Sequence, residues 1–133
     1  MKRWTTVSRR VGEAGLIVDA MLGTGLLEAP RGVIARVVED LAGVPPERIV
    51  AVDLPSGLPS DSGDVDWPTV RAGVTVSFAA PKYGHVLPPA CGRIGELVMA
   101  DIGIPVDAQD PSLFLLEGSD AAALFSARPA ASH

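Results

Sequence analysis

Two apolar runs that each end in an aspartate constrain this chain most: LIVDAMLGTGL, from Leu16 to Leu26, and IVAVDLPSGL, from Ile49 to Leu58. Each has the length of a strand and then breaks into Gly, Pro or Ser. A parallel α/β sheet uses this pattern to bring a carboxylate and bare backbone amides to the carboxyl edge of its strands, where ligands bind. Asp19 and Asp53 are therefore the first candidates for chemistry.

Between these runs, Val33, Ile34, Val37, Val38 and Leu41 fall on one face of a 3.6-residue period. They predict a helix behind Pro30 that stops at Gly43 and the Pro45-Pro46 pair. Leu16 to Asp19 and Ile49 to Leu54 read as short buried strands, because continuous apolar runs suit a sheet covered on both faces. Val74, Val76 and Phe78 alternate with Thr75 and Ser77 in a third strand, and Ile94 to Ile102 is the fourth. The Pro- and Ser-rich stretch from Pro55 to Pro68 is a loop long enough to be functional or mobile. Residues 1–14 read as a loop or the tail of a helix, Ser119 to Phe125 as a short capped helix, and Ser126 to His133 as a linker. The order strand, helix, strand, strand, strand holds one full βαβ crossover. The sheet is thus expected to be mixed, shared with another chain, or incomplete.

At 133 residues the chain makes one domain at most, and its hydrophobic fraction of 47% supports a globular core. With 11 Lys+Arg against 16 Asp+Glu and no basic stripe, it has no electrostatic footprint for nucleic acid or an anionic membrane. The single Cys91 excludes an intramolecular disulfide and a multi-cysteine metal site, and fits a reducing compartment. No apolar stretch reaches the ~20 residues of a membrane span. No apolar run follows the N-terminal charges as in a signal peptide. A soluble, cytoplasmic protein is expected.

The Gly23-Thr24-Gly25 turn can aim backbone N–H groups at an anion, and the helix behind Pro30 adds a favourable dipole, although the same turn is also an ordinary connection. In Asp53-Leu54-Pro55-Ser56-Gly57, a carboxylate and a hydroxyl three residues apart can face one volume. Three readings stand side by side: a general acid/base at Asp53, oxygen ligands for a hard cation, or an Asx/Ser turn whose side chains bind local amides. A hydrolase triad is excluded, because Ser56 lies in L-P-S-G-L rather than a G-x-S-x-G elbow and the histidines are only His85 and His133. Lys82, just after the third strand, can pair with phosphate or carboxylate, or can be a solvated surface lysine. His85 reads as a loop histidine, Cys91 as structural, and Trp67 as a cover for its loop.

LIVDAMLGTGL, AVDLPSGL, DSGDV, VTVSFAAPKYG and GELVMADIGIP occur in the order and approximate spacing of the NAD(P)H-hydrate epimerase domain, often called the YjeF N-terminal domain. The resemblance covers about residues 12 to 106. It implies a Rossmann-like α/β/α sandwich that interconverts the R and S epimers of NADH or NADPH hydrated at C6 of the nicotinamide ring, and that binds K+. Position by position, it implies potassium ligands at Asp19 and Ser56. It implies contacts to the hydrated dinucleotide from Gly23, Thr24, Gly25, Leu26, Leu27, Glu28, Ala29 and Asp53. Asp53 would meet the reacting ring as a catalytic residue, with Lys82 supporting it electrostatically. The tail EGSDAAALFSARPAASH resembles the linker that leads, in bifunctional members, into an NAD(P)H-hydrate dehydratase.

The family also carries an upstream strand and a G-N-N-G-G-D-G loop with phosphate contacts and a further potassium ligand. No such run occurs in this sequence. The expected organisation is an N-terminal segment (1–14), an α/β domain incomplete at its N-terminal side (15–117), and a short helix with linker (118–133). The alternative to an epimerase is a truncated, non-catalytic nucleotide-binding or interaction module. An open sheet edge in either case favours a homo-oligomer.

Overall fold

The computed structural model describes residues 2–105 and 114–124. The elements are α1 (Lys2–Glu13), β1 (Ile17–Asp19), α2 (Gly32–Ala42), β2 (Ile49–Val52), β3 (Val74–Phe78), α3 (Tyr83–Val86), β4 (Glu96–Ala100) and α4 (Gly118–Leu124), with 3-10 turns at Pro46–Arg48 and Ala90–Arg93. The strands form one sheet in the order β1-β2-β3-β4, and all three pairings are parallel. Of the three arrangements expected, the mixed sheet is therefore excluded among the described residues. The α/β, Rossmann-like class stands.

The register explains which face is buried. Ile17 pairs with Ile49, Asp19 with Ala51, Ala51 with Thr75 and Thr75 with Leu97, so these residues share one face. Parallel crossovers are right-handed, so a strand order that steps in one direction lays every connection on the same side. That side is the core. Val37, Val38 and Leu41 of α2 pack with Ile49, Ala51, Val70 and Ala72, and Trp4 and Val11 of α1 join them. The apolar stripe of α2 is what holds it there, since its N-cap Arg31 makes no side-chain cap. A second cluster of Leu54, Leu58, Ala90 and Ile94 fills the same layer beside Leu97.

The other face carries Val18, Val50, Val52, Val74, Val76, Phe78 and Val98. It is incompletely covered: Val18 is 62% and Val98 39% exposed. This corrects the expectation that Leu16 to Asp19 is a buried strand. It is an edge strand with only its α2-facing side covered. In β3 the expected alternation holds, but the hydroxyl positions Thr75 and Ser77 are the buried ones while the apolar positions are half-buried. The Thr75 hydroxyl donates to the Ile94 carbonyl at 2.7 Å, which removes the desolvation penalty of burying it.

The N-terminal segment resolves into helix rather than loop. The Trp4 indole N–H donates to Asp40 of α2 at 2.8 Å. The Arg48 guanidinium donates to the carbonyls of Val11, Gly12 and Ala14, satisfying the otherwise unpaired carbonyls at the end of α1. The helix expected over Ser119 to Phe125 is found at Gly118–Leu124. The linker expected over 126–133 lies outside the described residues, as do residues 106–113. Among the described residues no helix is long and apolar enough to cross a membrane.

Candidate functional site

Asp19 and Asp53 end adjacent strands, and the chain builds a different environment around each. Asp19 is 1% exposed at the end of β1. Its Oδ2 accepts the Ser56 N–H at 2.7 Å and its Oδ1 accepts the Ser56 hydroxyl at 2.6 Å. The Ser56 oxygen in turn accepts the Leu22 N–H at 3.0 Å. Of the readings left open for Ser56, the turn cap on purely local amides is the one its geometry departs from: Ser56 reaches across to another strand. Carboxylate and hydroxyl are hard oxygens, the donor chemistry an alkali cation takes, so the pair fits such an ion in kind. No buried side-chain polar atom among the described residues lacks a partner, so the pair is satisfied as it stands. Nor do three or more His, Cys, Asp or Glu converge anywhere among the described residues.

The Leu54–Ser60 loop that delivers Ser56 is buried throughout, which is unusual for a connection. It is braced from outside. The Trp67 indole donates to the Gly57 carbonyl at 2.6 Å, and the Val70 N–H donates to the Ser56 carbonyl at 3.0 Å. Gly57 has φ +95, and a Cβ there would meet the Pro68 carbonyl oxygen at 2.8 Å, so this turn requires glycine. Trp67 covers its loop as the sequence suggested.

Asp53 stops β2 one residue after Val52, earlier than the strand expected through Leu54. Its φ is 69, and the Leu54 N–H donates back to the Val52 carbonyl at 2.9 Å. This is a γ-turn of the rare positive-φ kind. Every polar atom of Asp53 is held. Its N–H donates to the Val76 carbonyl at 2.7 Å. Its Oδ1 accepts from Lys82 Nζ at 2.7 Å and from Ser77 Oγ at 3.0 Å, and its Oδ2 accepts the Thr24 N–H at 3.3 Å. Lys82 Nζ also donates to Ser77 Oγ at 2.8 Å and to the Phe78 carbonyl at 3.0 Å, so all three ammonium protons are directed inward. Both partners of the ion pair are 19% exposed. Of the readings left open for Lys82, the structure shows the carboxylate partner and departs from the solvated surface lysine.

Burial works to raise the Asp53 pKa. The Lys82 and Ser77 hydrogen bonds, the Lys82 charge and the Thr24 amide outweigh it and hold the carboxyl below its ordinary 3.8. Asp53 is an ionised base at neutral pH. The surrounding amide and ammonium dipoles can stabilise a negative centre and accept its change of charge.

Two residues that the sequence reading passed over complete this site. Ser77 lies two beyond Thr75 as Asp53 lies two beyond Ala51, so the β2–β3 register makes them neighbours. Its position on an apolar strand was the available signal. His85, read as a loop histidine, is 3% exposed in the single turn α3, and its Nε2 lies 2.8 Å from the Asp53 carbonyl. Burial, the leading cause, sets its pKa below 6.5, so the ring is neutral at physiological pH.

The expected dinucleotide loop sits against the same centre. A Cβ on Gly23 would stand 3.0 Å from Asp53 Oδ2, so the loop packs directly on the carboxylate. Leu27 is 85% exposed, and Glu28 pairs with Arg31 at 2.6 Å on the surface. The residues from Leu26 to Arg31 separate this turn from the start of α2. The structure thus brings Asp53, Lys82 and the Gly23–Gly25 turn together, with Asp19 and Ser56 as a second, buried pair one strand away. Cys91 lies half-buried in the 3-10 turn Ala90–Arg93.

Residues 2–84 match the family model described as YjeF-related protein N-terminus. The chain is 41% identical over 114 residues to the bifunctional NAD(P)H-hydrate repair enzyme Nnr of Thermanaerovibrio acidaminovorans, covering 86% of this chain and 21% of that protein. It is 46% identical over 92 residues to the enzyme of the same name from Moorella thermoacetica, covering 69% of this chain and 17% of that one. It is 42% identical over 100 residues to the NAD(P)H-hydrate epimerase of Dehalogenimonas lykanthroporepellens, covering 74% of this chain and 38% of that protein. The chain therefore spans about a fifth of the bifunctional relatives and under half of the epimerase.

Proposed function

Because this chain belongs to the family of YjeF-related N-terminal domains, we propose that it carries the proton-transfer centre of an NAD(P)H-hydrate epimerase. The single observation that carries the reading is the ionised Asp53, held by Lys82 and Ser77 beside the Gly23–Gly25 turn at the carboxyl edge of the sheet.

The substrate has a hydroxyl and the ring nitrogen on the same carbon, C6. Inversion requires one of those two bonds to break and re-form from the other face. On the route that suits this site, the Asp53 carboxylate takes the hydroxyl proton as the C6–N1 bond breaks. The electron pair goes to N1 and C6 becomes an aldehyde. Closure onto the opposite face returns the proton, so atoms and charge balance. Lys82 keeps Asp53 ionised before the step and limits its basicity during it. The Gly23–Ala29 loop is the proposed contact for the dinucleotide, through its backbone N–H groups.

Potassium is part of the proposal, with Asp19 and Ser56 as the residues that would hold it. Bound there, it would supply a fixed positive charge next to two loops that both touch the substrate region. A dehydratase acting on one epimer is the proposed functional partner. It fits the bifunctional repair enzymes among the relatives.

The test is epimerisation of R-NADHX by this chain, coupled to an S-specific dehydratase, with and without potassium. Potassium-dependent turnover is expected. Asp53→Asn should lower kcat by about 10²–10⁴-fold, the usual worth of a general base, while dinucleotide binding persists. Wild-type kcat in Asp53→Asn would rule out its catalytic role.

A second reading, an interaction module without activity of its own, is favoured by the half-open apolar sheet face with Val18 and Val98 exposed. It predicts concentration-dependent self-association in sedimentation experiments. A monomer at every concentration would count against it.

A further inference from the structure

We infer that His85 is a positioning residue for Asp53, tying its main chain to that of Lys82 so that the two side chains meet. This rests on the reading of Asp53 as the proton-transfer group. The hydrogen bonds of the imidazole determine its tautomer. The Lys82 N–H donates to Nδ1 at 3.0 Å, so Nδ1 carries no proton. The proton is on Nε2, which donates to the Asp53 carbonyl at 2.8 Å. One neutral ring thus bridges the backbones of Asp53 and Lys82, whose side chains form the 2.7 Å ion pair.

The bridge is needed because Asp53 is strained. A non-glycine residue with φ 69 at the centre of a γ-turn persists only where its surroundings over-determine it. The Asp53 N–H is held by β3 through the Val76 carbonyl. Its carbonyl is held by His85, from an element 32 residues away. Without that donor, the peptide that follows Asp53 keeps only the γ-turn bond from its Leu54 N–H to the Val52 carbonyl, and its carbonyl oxygen is left without a partner. The titratable groups in contact with Asp53 are Lys82 and His85, one acting on its carboxylate and the other on its carbonyl. His85 itself is buried, and both of its ring nitrogens are engaged by main-chain groups. Its effect runs through Asp53.

Two substitutions separate the bridge from packing. In His85→Gln the side-chain amide reaches the Nε2 position and can still donate to the Asp53 carbonyl. In His85→Asn the side-chain oxygen can replace Nδ1 for the Lys82 N–H but falls short of Asp53. Expected are a kcat near wild type for the Gln variant and a loss of about 10²-fold for the Asn variant at unchanged KM, the scale of a misplaced catalytic group. The Asp53 carboxyl, followed by ¹³C NMR in the 133-residue chain, should titrate as in wild type with Gln and at higher pH with Asn. Wild-type kcat and an unmoved Asp53 titration in a folded Asn variant would overturn the inference. So would equal losses in both variants. Should Asn prevent folding, the ¹⁵N spectrum of the wild-type ring decides, because a proton on Nδ1 contradicts the bridge outright. If the wild-type chain turns over no hydrated dinucleotide, the epimerase reading fails, and the carboxyl titration still decides the role of His85.

Discussion

Asp19 and Ser56, 37 residues apart in sequence, close on each other through both carboxylate oxygens: Oδ2 accepts the Ser56 N–H at 2.7 Å and Oδ1 its hydroxyl at 2.6 Å. The contact fastens the end of β1 to the loop after β2 at a point where neither side chain sees solvent. The pair is more deeply buried than the Asp53 centre on the adjacent strand.

Ser56→Ala leaves the Leu22 N–H without its partner and the buried Asp19 Oδ1 with only the Met21 N–H at 3.5 Å. Destabilisation of about 1–3 kcal/mol is expected from the unsatisfied groups, read as a lower urea midpoint. Wild-type protein should also gain thermal stability in potassium chloride over an equal concentration of a bulky organic cation, and Ser56→Ala should lose that gain. An identical response in both proteins would remove Ser56 from the proposed cation site.

Lys82→Met removes the hydrogen bond and the charge that offset the burial of Asp53. The Asp53 carboxyl should then titrate above its wild-type position, by ¹³C NMR, and turnover should shift its acid limb in the same direction. A carboxyl that titrates as before would mean that Ser77 and Thr24 suffice.

Acid should weaken the fold in two stages. The His85 pKa is lowered on folding, so the unfolded chain binds more protons just below 6.5 and stability falls as pH drops from there. The Asp53 pKa is lowered as well, so its contribution is complete above 3.8 and is lost as pH falls through its folded value. The urea midpoint should decline between pH 7.5 and 5.5, and less so in His85→Gln. A midpoint that rises over that interval contradicts the assignment.

Gly23→Ala would place a methyl 3.0 Å from Asp53 Oδ2. Asp53 is tied down by Lys82 and Ser77, so the exposed turn must yield. A displaced turn no longer holds its N–H groups in place for the ligand, and dinucleotide affinity should fall roughly tenfold. Fold stability should change little, because the turn is on the surface. Equal affinity by calorimetry would show that the loop does not contact the ligand.

Much of the frame was legible in the sequence because its signals are local. The 3.6-residue stripe from Val33 to Leu41 marks α2, and the break from apolar run to Pro or Gly marks where β1 and β2 end. The five ordered motifs identified the family, and Asp53 and Lys82 stood out as strand-end charges. The burial pattern was not legible. Leu16 and Val18 are apolar like Ile49, yet they are exposed, since a strand order that runs one way covers only one face of the sheet.

What the sequence determined by itself is the kind of chain this is: parallel α/β, with carboxylates delivered to the carboxyl edge by short-range patterning of apolar and turn residues. What only the tertiary structure decided is which groups touch. Ser77 reaches Asp53 through register, and His85 reaches the same residue from a turn beyond the next strand. Lys82 is drawn inward because three acceptors converge on its ammonium. Such contacts depend on distances between segments far apart in the chain, and no local pattern of residue types encodes them.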